Sequence, residues 1–293
     1  SFKTFPSHPT LAHRLNFAIV SCNKLRTTQK MVKDSDDVWA ALAEMIQHDE
    51  LDMALHLGDQ VYADDDFEAF QQGKVSKQAA MEHCTFLKAI DLLGKTPKGE
   101  WESKRLKVLE MYRQEYRNTW GHPKTREALA NIPNIMIYDD HEIRDDLGDK
   151  PEEYDPNSNV YFIAECGRRA ALEYQRALHE DIDFSHPTRI PQLLRENYVI
   201  HRMGEYCIVM ADCRAAKTFF SVPGDPRPFL TSHQFHDLET ALAASGELWD
   251  CTMMIFATQV PMIFMGRKMT ERIAKKLDDF EGMWSYHNNE YDQ

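Results

Sequence analysis

Four groups of ligand-type side chains stand where strands end by pattern: Ser21-Cys22-Asn23, Gly58-Asp59-Gln60-Val61-Tyr62, Asp139-Asp140-His141-Glu142 and Ala211-Asp212-Cys213-Arg214. A phenol with pKa near ~10 ionises at neutral pH only beside a strong Lewis acid. Thiolate, carboxylate and phenolate together would favour ferric iron over magnesium by charge and softness. At 139–142, three carboxylates and an imidazole in succession raise one another's carboxylate pKa values unless a cation compensates. With a cation present, His141 becomes a ligand or a general acid over a leaving group. Each group alone has a plainer reading. Gly58 frees a sharp strand exit, Asp59 and Tyr62 then being a cap and a core ring. Cys22 alone is an inert cysteine, and Asp139–Glu142, with Asp145, Asp146 and Asp149 nearby, is a solvated acidic turn. Their shared position favours chemistry, because active groups of α/β sheets collect just past the carboxyl ends of strands.

The elements that must place these groups follow from periodicity. Leu15 to Val20 is apolar and β-prone, as is Met53 to Leu57. Between them Ser35-Asp36-Asp37 opens a helix whose inward face is Val38, Trp39, Leu42, Met45 and Ile46. Strand, helix, strand predicts a βαβ unit in an α/β protein. From about Ala63 to Ala130 the pattern is long charged helices, read as a helical insertion, with Leu106, Leu109, Tyr112, Tyr116 and Trp120 on one face. Strands are expected again at Asn134–Tyr138, Tyr206–Met210 and Thr252–Phe256, with helices at about 159–180 and after a Thr231/Gln234 capping box. Met253, Met254 and Met262 read as core filler, and Asp64, Asp65 and Asp66 as a solvated acidic loop. One elaborated α/β domain fits better than two.

Length and composition narrow the classes. In 293 residues, 43% hydrophobic and 28% charged, a packed core is expected. With 34 Lys and Arg against 47 Asp and Glu, the net charge is -13, which argues against a nucleic-acid surface. An anionic substrate held through cations stays open. The stretch Cys251–Met265 is too short and too interrupted to span a bilayer. Six scattered cysteines without a C-x-x-C pair argue against a disulfide scaffold or a zinc knuckle. The chain opens at Ser1 without a signal sequence, so its targeting is not legible.

In order along the chain, S-C-N, G-D-Q-V-Y, D-D-H-E-I-R-D-D, A-D-C-R and Q-V-P-M resemble the PhoD-like metallophosphoesterases, over about Phe17 to Met262. The resemblance implies one domain over 14–293 with the helical insertion at about 63–130. The implied fold is a two-sheet sandwich flanked by helices, and the activity is metal-dependent hydrolysis of phosphomonoesters or phosphodiesters. It implies a dinuclear centre, iron with calcium or another divalent ion. By position, Cys22, Asp59 and Tyr62 hold iron, Asp59 bridges and Asp140 serves the second metal. His141 stabilises the phosphoryl oxygen or protonates the leaving group, and Arg214 matches a recurrent arginine. Asn23, Asp139 and Arg214 are expected to touch a phosphorylated small-molecule or lipid-type substrate. One departure stands out: the family pattern ends in a further strand and G-D-x-H, which this chain lacks. Phe280–Trp284 resembles the segment before it, and His287 is a poor substitute. The C-terminal end of the domain is therefore expected to be missing and the centre incomplete.

Two rivals follow. One is a catalytically incompetent member acting as a metal-binding or interaction module. The other is a hydrolase with a protein nucleophile, weakly supported because no G-x-S-x-G elbow is present. No Walker loop or G-x-G-x-x-G supports a nucleotide-binding enzyme.

Overall fold

Short apolar runs with β-branched and aromatic residues build the frame that carries the site. The computed structural model describes residues 3–4, 14–27, 30–31, 37–148, 150–190, 196–215 and 230–261. Strand β1 (Phe17–Val20) is followed by a two-stranded antiparallel pair, β2 (Arg26–Thr27) and β3 (Lys30–Met31). Helix α1 (Val38–Gln47) starts on Asp37, whose carboxylate accepts from Trp39 N at 3.0 Å. The helix therefore starts two residues later than Ser35, and Asp37 is the cap itself. The chain returns in β4 (Met53–His56), parallel to β1, with Phe17 opposite Met53 and Val20 opposite His56.

Helices α2 (Phe67–Gln71), α3 (Lys77–His83), α4 (Thr85–Gly94), α5 (Arg105–Trp120) and α6 (Pro123–Leu129) then run without a strand to β5 (Asn134–Met136). That strand pairs in parallel with β4, giving the order β1-β4-β5. All three strands run the same way, so their exits lie at one edge. Helix α7 (Asn159–Tyr174) packs on α4 and α5 around Phe86, Leu87, Leu109, Tyr112, Tyr116 and Ile163. On α5 the buried face is Val108, Leu109, Tyr112 and Tyr116, and Leu106 is exposed, contrary to its expected place. Gly167 on α7 permits a close crossing: a Cβ there would lie 2.7 Å from Ile143 Cγ1 and 3.2 Å from Tyr112 Cε1.

By contact the chain divides into two units, the first being Ser1–Phe5, Leu15–Asp145 and Asp155–Leu194. The second comprises Pro6–Arg14, Asp146–Tyr154 and Arg195–Gln293. It contains β6 (Val199–Met203), β7 (Tyr206–Ala211), α8 (Ser232–Leu242) and β8 (Met253–Thr258), in the sheet order β6-β7-β8. The β6–β7 pair is antiparallel and β7–β8 parallel. Strand β6 escapes pattern reading because Val-Ile-His-Arg-Met has no period-two alternation. Met253 and Met254 are 48% and 41% exposed, which corrects their reading as core: among the described residues β8 is an edge strand. Thr231 caps α8, accepting from Gln234 N at 3.0 Å. The Gln234 side chain departs from the capping box and instead brackets Asp212, accepting from its N and donating to its O.

Candidate metal centre

Beyond the strand ends the parallel pairing continues into the loops. Leu57 N donates to Val20 O, Cys22 N to Gly58 O and Asn23 N to Asp59 O, at 2.9, 3.2 and 2.8 Å. This register draws Cys22 alongside Asp59. Both adopt left-handed backbone, with φ of 57° and 56°, a conformation that costs a non-glycine residue about 1–3 kcal/mol and collects at functional sites. Between them and β5, Gly58 has φ 108°, and a Cβ on it would lie 2.3 Å from Asp139 Cβ. Only glycine brings the two exits this close.

The two exits are locked by Glu142. Its fully buried carboxylate accepts from Asp59 N (3.0 Å), Gln60 N (2.7 Å), Asp139 N (2.9 Å) and Gln175 Nε2 (2.9 Å). Burial, then the Asp59 charge, push its pKa up to about 8, while the backbone donors pull it down. Every one of these four partners is an N–H donor, so the ionised carboxylate is the form that fits.

Around Asp59 the candidate ligands converge. Oδ2 accepts from Cys22 Sγ at 3.5 Å and from Tyr62 OH at 3.3 Å, and Oδ1 from His141 N at 3.4 Å. Asp59, Asp140 and His141 each offer one ligand atom, all within 4.8 Å of one another. Donors about 3 to 3.5 Å apart suit a cation reaching each at roughly 2.0–2.3 Å. Burial, then the charges of Asp139 and Asp140, push the Asp59 carboxyl up to about 7. Burial and the Asp59 charge drive the Tyr62 phenol far above its usual range. Partial burial likewise raises the Cys22 thiol. All three shifts come from negative charge with too little solvent, and a cation among them reverses each. The donor set fits a metal.

His141 is held on both sides of its ring. Nδ1 lies 2.8 Å from Asp64 Oδ1 and Nε2 3.6 Å from Asp145 Oδ1, and the ring packs on Tyr62 with centroids 4.2 Å apart. Burial lowers its pKa, but the Asp64 hydrogen bond and the charges of Asp64, Asp59 and Asp140 outweigh that and push it up to about 10. Asp64 Oδ2 meanwhile accepts from Asp145 N at 2.6 Å. A solvated acidic loop is therefore the wrong description of Asp64, which is 6% exposed. Asp65 lies 3.4 Å from Lys24 Nζ, and that ammonium also sits 4.9 Å above the Tyr62 ring.

Of the residues expected to form the site, Cys22, Asp59, Tyr62, Asp140 and His141 come together in the first unit. Asn23 is beside them with its amide engaged: Oδ1 accepts from Trp39 Nε1 at 2.8 Å and Nδ2 donates to Gln60 O at 3.2 Å. Among the described residues, one lone pair and one N–H of this amide are not engaged. Asp139 is buried and bound through its backbone to Glu142. Arg214 is in the second unit, buried, with its Nη1 donating to Leu147 O at 3.4 Å. Asp212 ties that loop together by accepting from Asn197, Arg214 and Ala215 N. Met262, Phe280–Trp284 and His287 lie outside the described residues. Sequence reasoning assigned no role to Glu142, Asp64 or Gln175. The signals were present only as one more acid in each of two acidic runs, and as a glutamine at a helix end.

The fold and site define a mixed α/β protein with carboxylate, imidazole, thiol and phenol groups gathered at parallel strand ends, a donor set that could hold a cation. Residues 17–291 match the family model for the PhoD-like phosphatases, and the chain belongs to that family. A solved structure titled "Structure of PhoD" is similar at 17% identity with a TM-score of 0.54, covering 90% of this chain and 45% of that one. At that identity the likeness speaks to fold, and this chain spans less than half the length of that structure. Comparison with curated proteins gives no match.

Proposed function

We propose that the chain hydrolyses phosphate esters, monoester or diester, at a dinuclear centre of iron with calcium or another divalent ion. The observation that carries this reading is the convergence of thiol, phenol and backbone amide on the Asp59 carboxylate, with Asp140 beside it. In it, Cys22, Asp59 and Tyr62 would hold the iron, and Asp59 and Asp140 would serve the second ion. When bound, the pair would neutralise phosphoryl oxygens and lower the pKa of a water toward neutrality.

The chain's own groups supply orientation and the proton. Glu142 keeps the Asp59 and Asp139 loops in register, so the ligand carboxylates meet without rearrangement. Asp64 holds Nδ1 of His141, and Nε2, 3.6 Å from Asp145 Oδ1, is the nitrogen assigned to stabilise a phosphoryl oxygen or deliver a proton to the departing alkoxide. Tyr62 packs against that ring, with centroids 4.2 Å apart, and limits its rotation. Asn23 and Asp139 are assigned to substrate contact. A phosphorylated small-molecule or lipid-type substrate belongs to the same proposal. Among the described residues no helix is long and apolar enough to cross a membrane.

The test is metal analysis of the purified chain together with hydrolysis of p-nitrophenyl phosphate and bis-p-nitrophenyl phosphate. About two ions per chain are expected, with both activities lost on chelation and restored on metal return. Cys22→Ala should deplete metal. Unchanged rates after complete metal removal, or loss of a covalent intermediate with metal retained in Cys22→Ala, would defeat the reading.

A further inference from the structure

A cation stands beside the centre without a part in the proposed reaction. Lys24 follows Cys22 by two residues, and its N donates to Cys22 O at 2.8 Å, so one tight turn carries both side chains. The Lys24 ammonium lies 4.9 Å from the centroid of the Tyr62 ring, whose hydroxyl donates to Asp59 Oδ2 at 3.3 Å. The lysine is therefore within a side chain's reach of the groups proposed to hold the metals. Its ion pair is loose: Asp65 Oδ1 is 3.4 Å away, and the lysine side chain is 44% exposed. A pair so open to water contributes little, and a competing anion displaces it readily. Such an exchange does not strand Asp65, which shares a small cavity with Arg26 and Tyr62.

A larger cavity of about 340 Å³ shares Asn23 and Leu25 with that one and is also lined by Cys22, Lys24, Trp39 and Leu42. This volume suits a small organic ligand. Leu25, Trp39 and Leu42 give it an apolar wall, and Lys24 gives it a positive charge. Asp37, an acid in the same lining, is turned to other partners: Oδ1 accepts from Trp39 N at 3.0 Å, and Oδ2 lies 3.4 Å from His122 Nδ1.

Resting on the hydrolytic reading above, we propose that Lys24 determines specificity by binding an anionic group, a carboxylate or a second phosphate, on the organic part of the ester, which lies in this cavity. The favoured substrates are then phosphate esters of acidic alcohols. Asp59, Asp139, Asp140 and Asp145 repel such a group from the rest of the centre, so the lysine decides where it lies. A flexible four-carbon stem lets the ammonium leave Asp65 and follow the ligand.

The experiment compares phenyl phosphate with 4-carboxyphenyl phosphate, following phosphate release and metal content in the full chain, Lys24→Met and Lys24→Arg. In Lys24→Met the ratio of kcat/KM for the carboxylated ester to that for phenyl phosphate should fall roughly tenfold at low salt, the worth of one charge-assisted hydrogen bond. The loss should appear in KM, with metal retained, and Lys24→Arg should restore the ratio. Comparing ratios cancels the difference between the two leaving groups. The released alcohol gives a second readout: 4-hydroxybenzoate should bind the native chain more tightly than it binds Lys24→Met, and phenol should show no such difference. A ratio unchanged in Lys24→Met, or one that falls only together with metal content, would overturn the proposal and leave the hydrolytic reading standing. A metal-loaded native chain that hydrolyses neither ester would defeat that reading, and this inference with it.

Discussion

Glu142 illustrates how one side chain governs the site without being a candidate ligand. Its four N–H partners come from the Asp59 loop, the Asp139 loop and Gln175. Glu142→Gln replaces one acceptor oxygen by a donor that faces other donors. The expected cost is about 1–3 kcal/mol of stability, with weaker metal retention, both measured by urea unfolding and metal analysis. An unchanged midpoint would contradict the clamp. His56, also buried, has Nδ1 3.1 Å from Gln60 Oε1 and Nε2 2.9 Å from Asn134 Oδ1. Burial lowers its pKa to about 4, against an unfolded value near ~6.5. Between these values the unfolded chain binds the extra proton, so this contribution is full above about 6.5 and declines by ~3 kcal/mol as pH falls to about 4. The difference between the native chain and His56→Gln, followed by urea unfolding from pH 4 to 7, isolates the histidine. Parallel curves would contradict the assignment.

Between helices, the decisive contact is ionic and lies inside the packing. Arg113 on α5 donates to both oxygens of Glu173 on α7 at 2.7 Å, and Arg169 Nε reaches the same carboxylate at 2.6 Å. Arg169 is 2% exposed, lies over the Phe184 ring and donates to the His186 and Arg189 carbonyls. Glu173→Ala leaves that guanidinium without its counter-charge, and a destabilisation of ~3 kcal/mol is expected. Thermal unfolding measures it, and a loss under 1 kcal/mol, the range of exposed pairs, would mean that the carbonyls suffice. The apolar face of α5 was largely legible in sequence because it repeats every three or four residues, whereas on α1 Trp39 is buried but Val38 and Met45 of the expected inward face are 71% and 37% exposed. Leu106 was misplaced because the same spacing permits two adjacent faces and only the neighbouring helix selects one. The edge position of β8 was hidden for a similar reason: alternation says which residues share a face, not which strand has a neighbour.

Across the whole chain, the charge of -13 sets a broad expectation for partners. On that charge balance, no retardation of duplex DNA is expected at roughly 0.15 M salt. A salt-sensitive mobility shift would contradict that. The order of motifs, the parallel βαβ start and the ligand types at Cys22, Asp59, Tyr62, Asp140 and His141 were all written in the primary structure, because local conformation and donor chemistry depend on residue type and near neighbours. The roles of Glu142 and Asp64 were not. An acid in an acidic run looks alike whether solvated or buried, and its partners are amides and an imidazole that become neighbours only when β4 and β5 align. Residue type supplied the chemistry available; packing chose which groups lose water, and losing water is what turns an ordinary carboxylate or thiol into a working one.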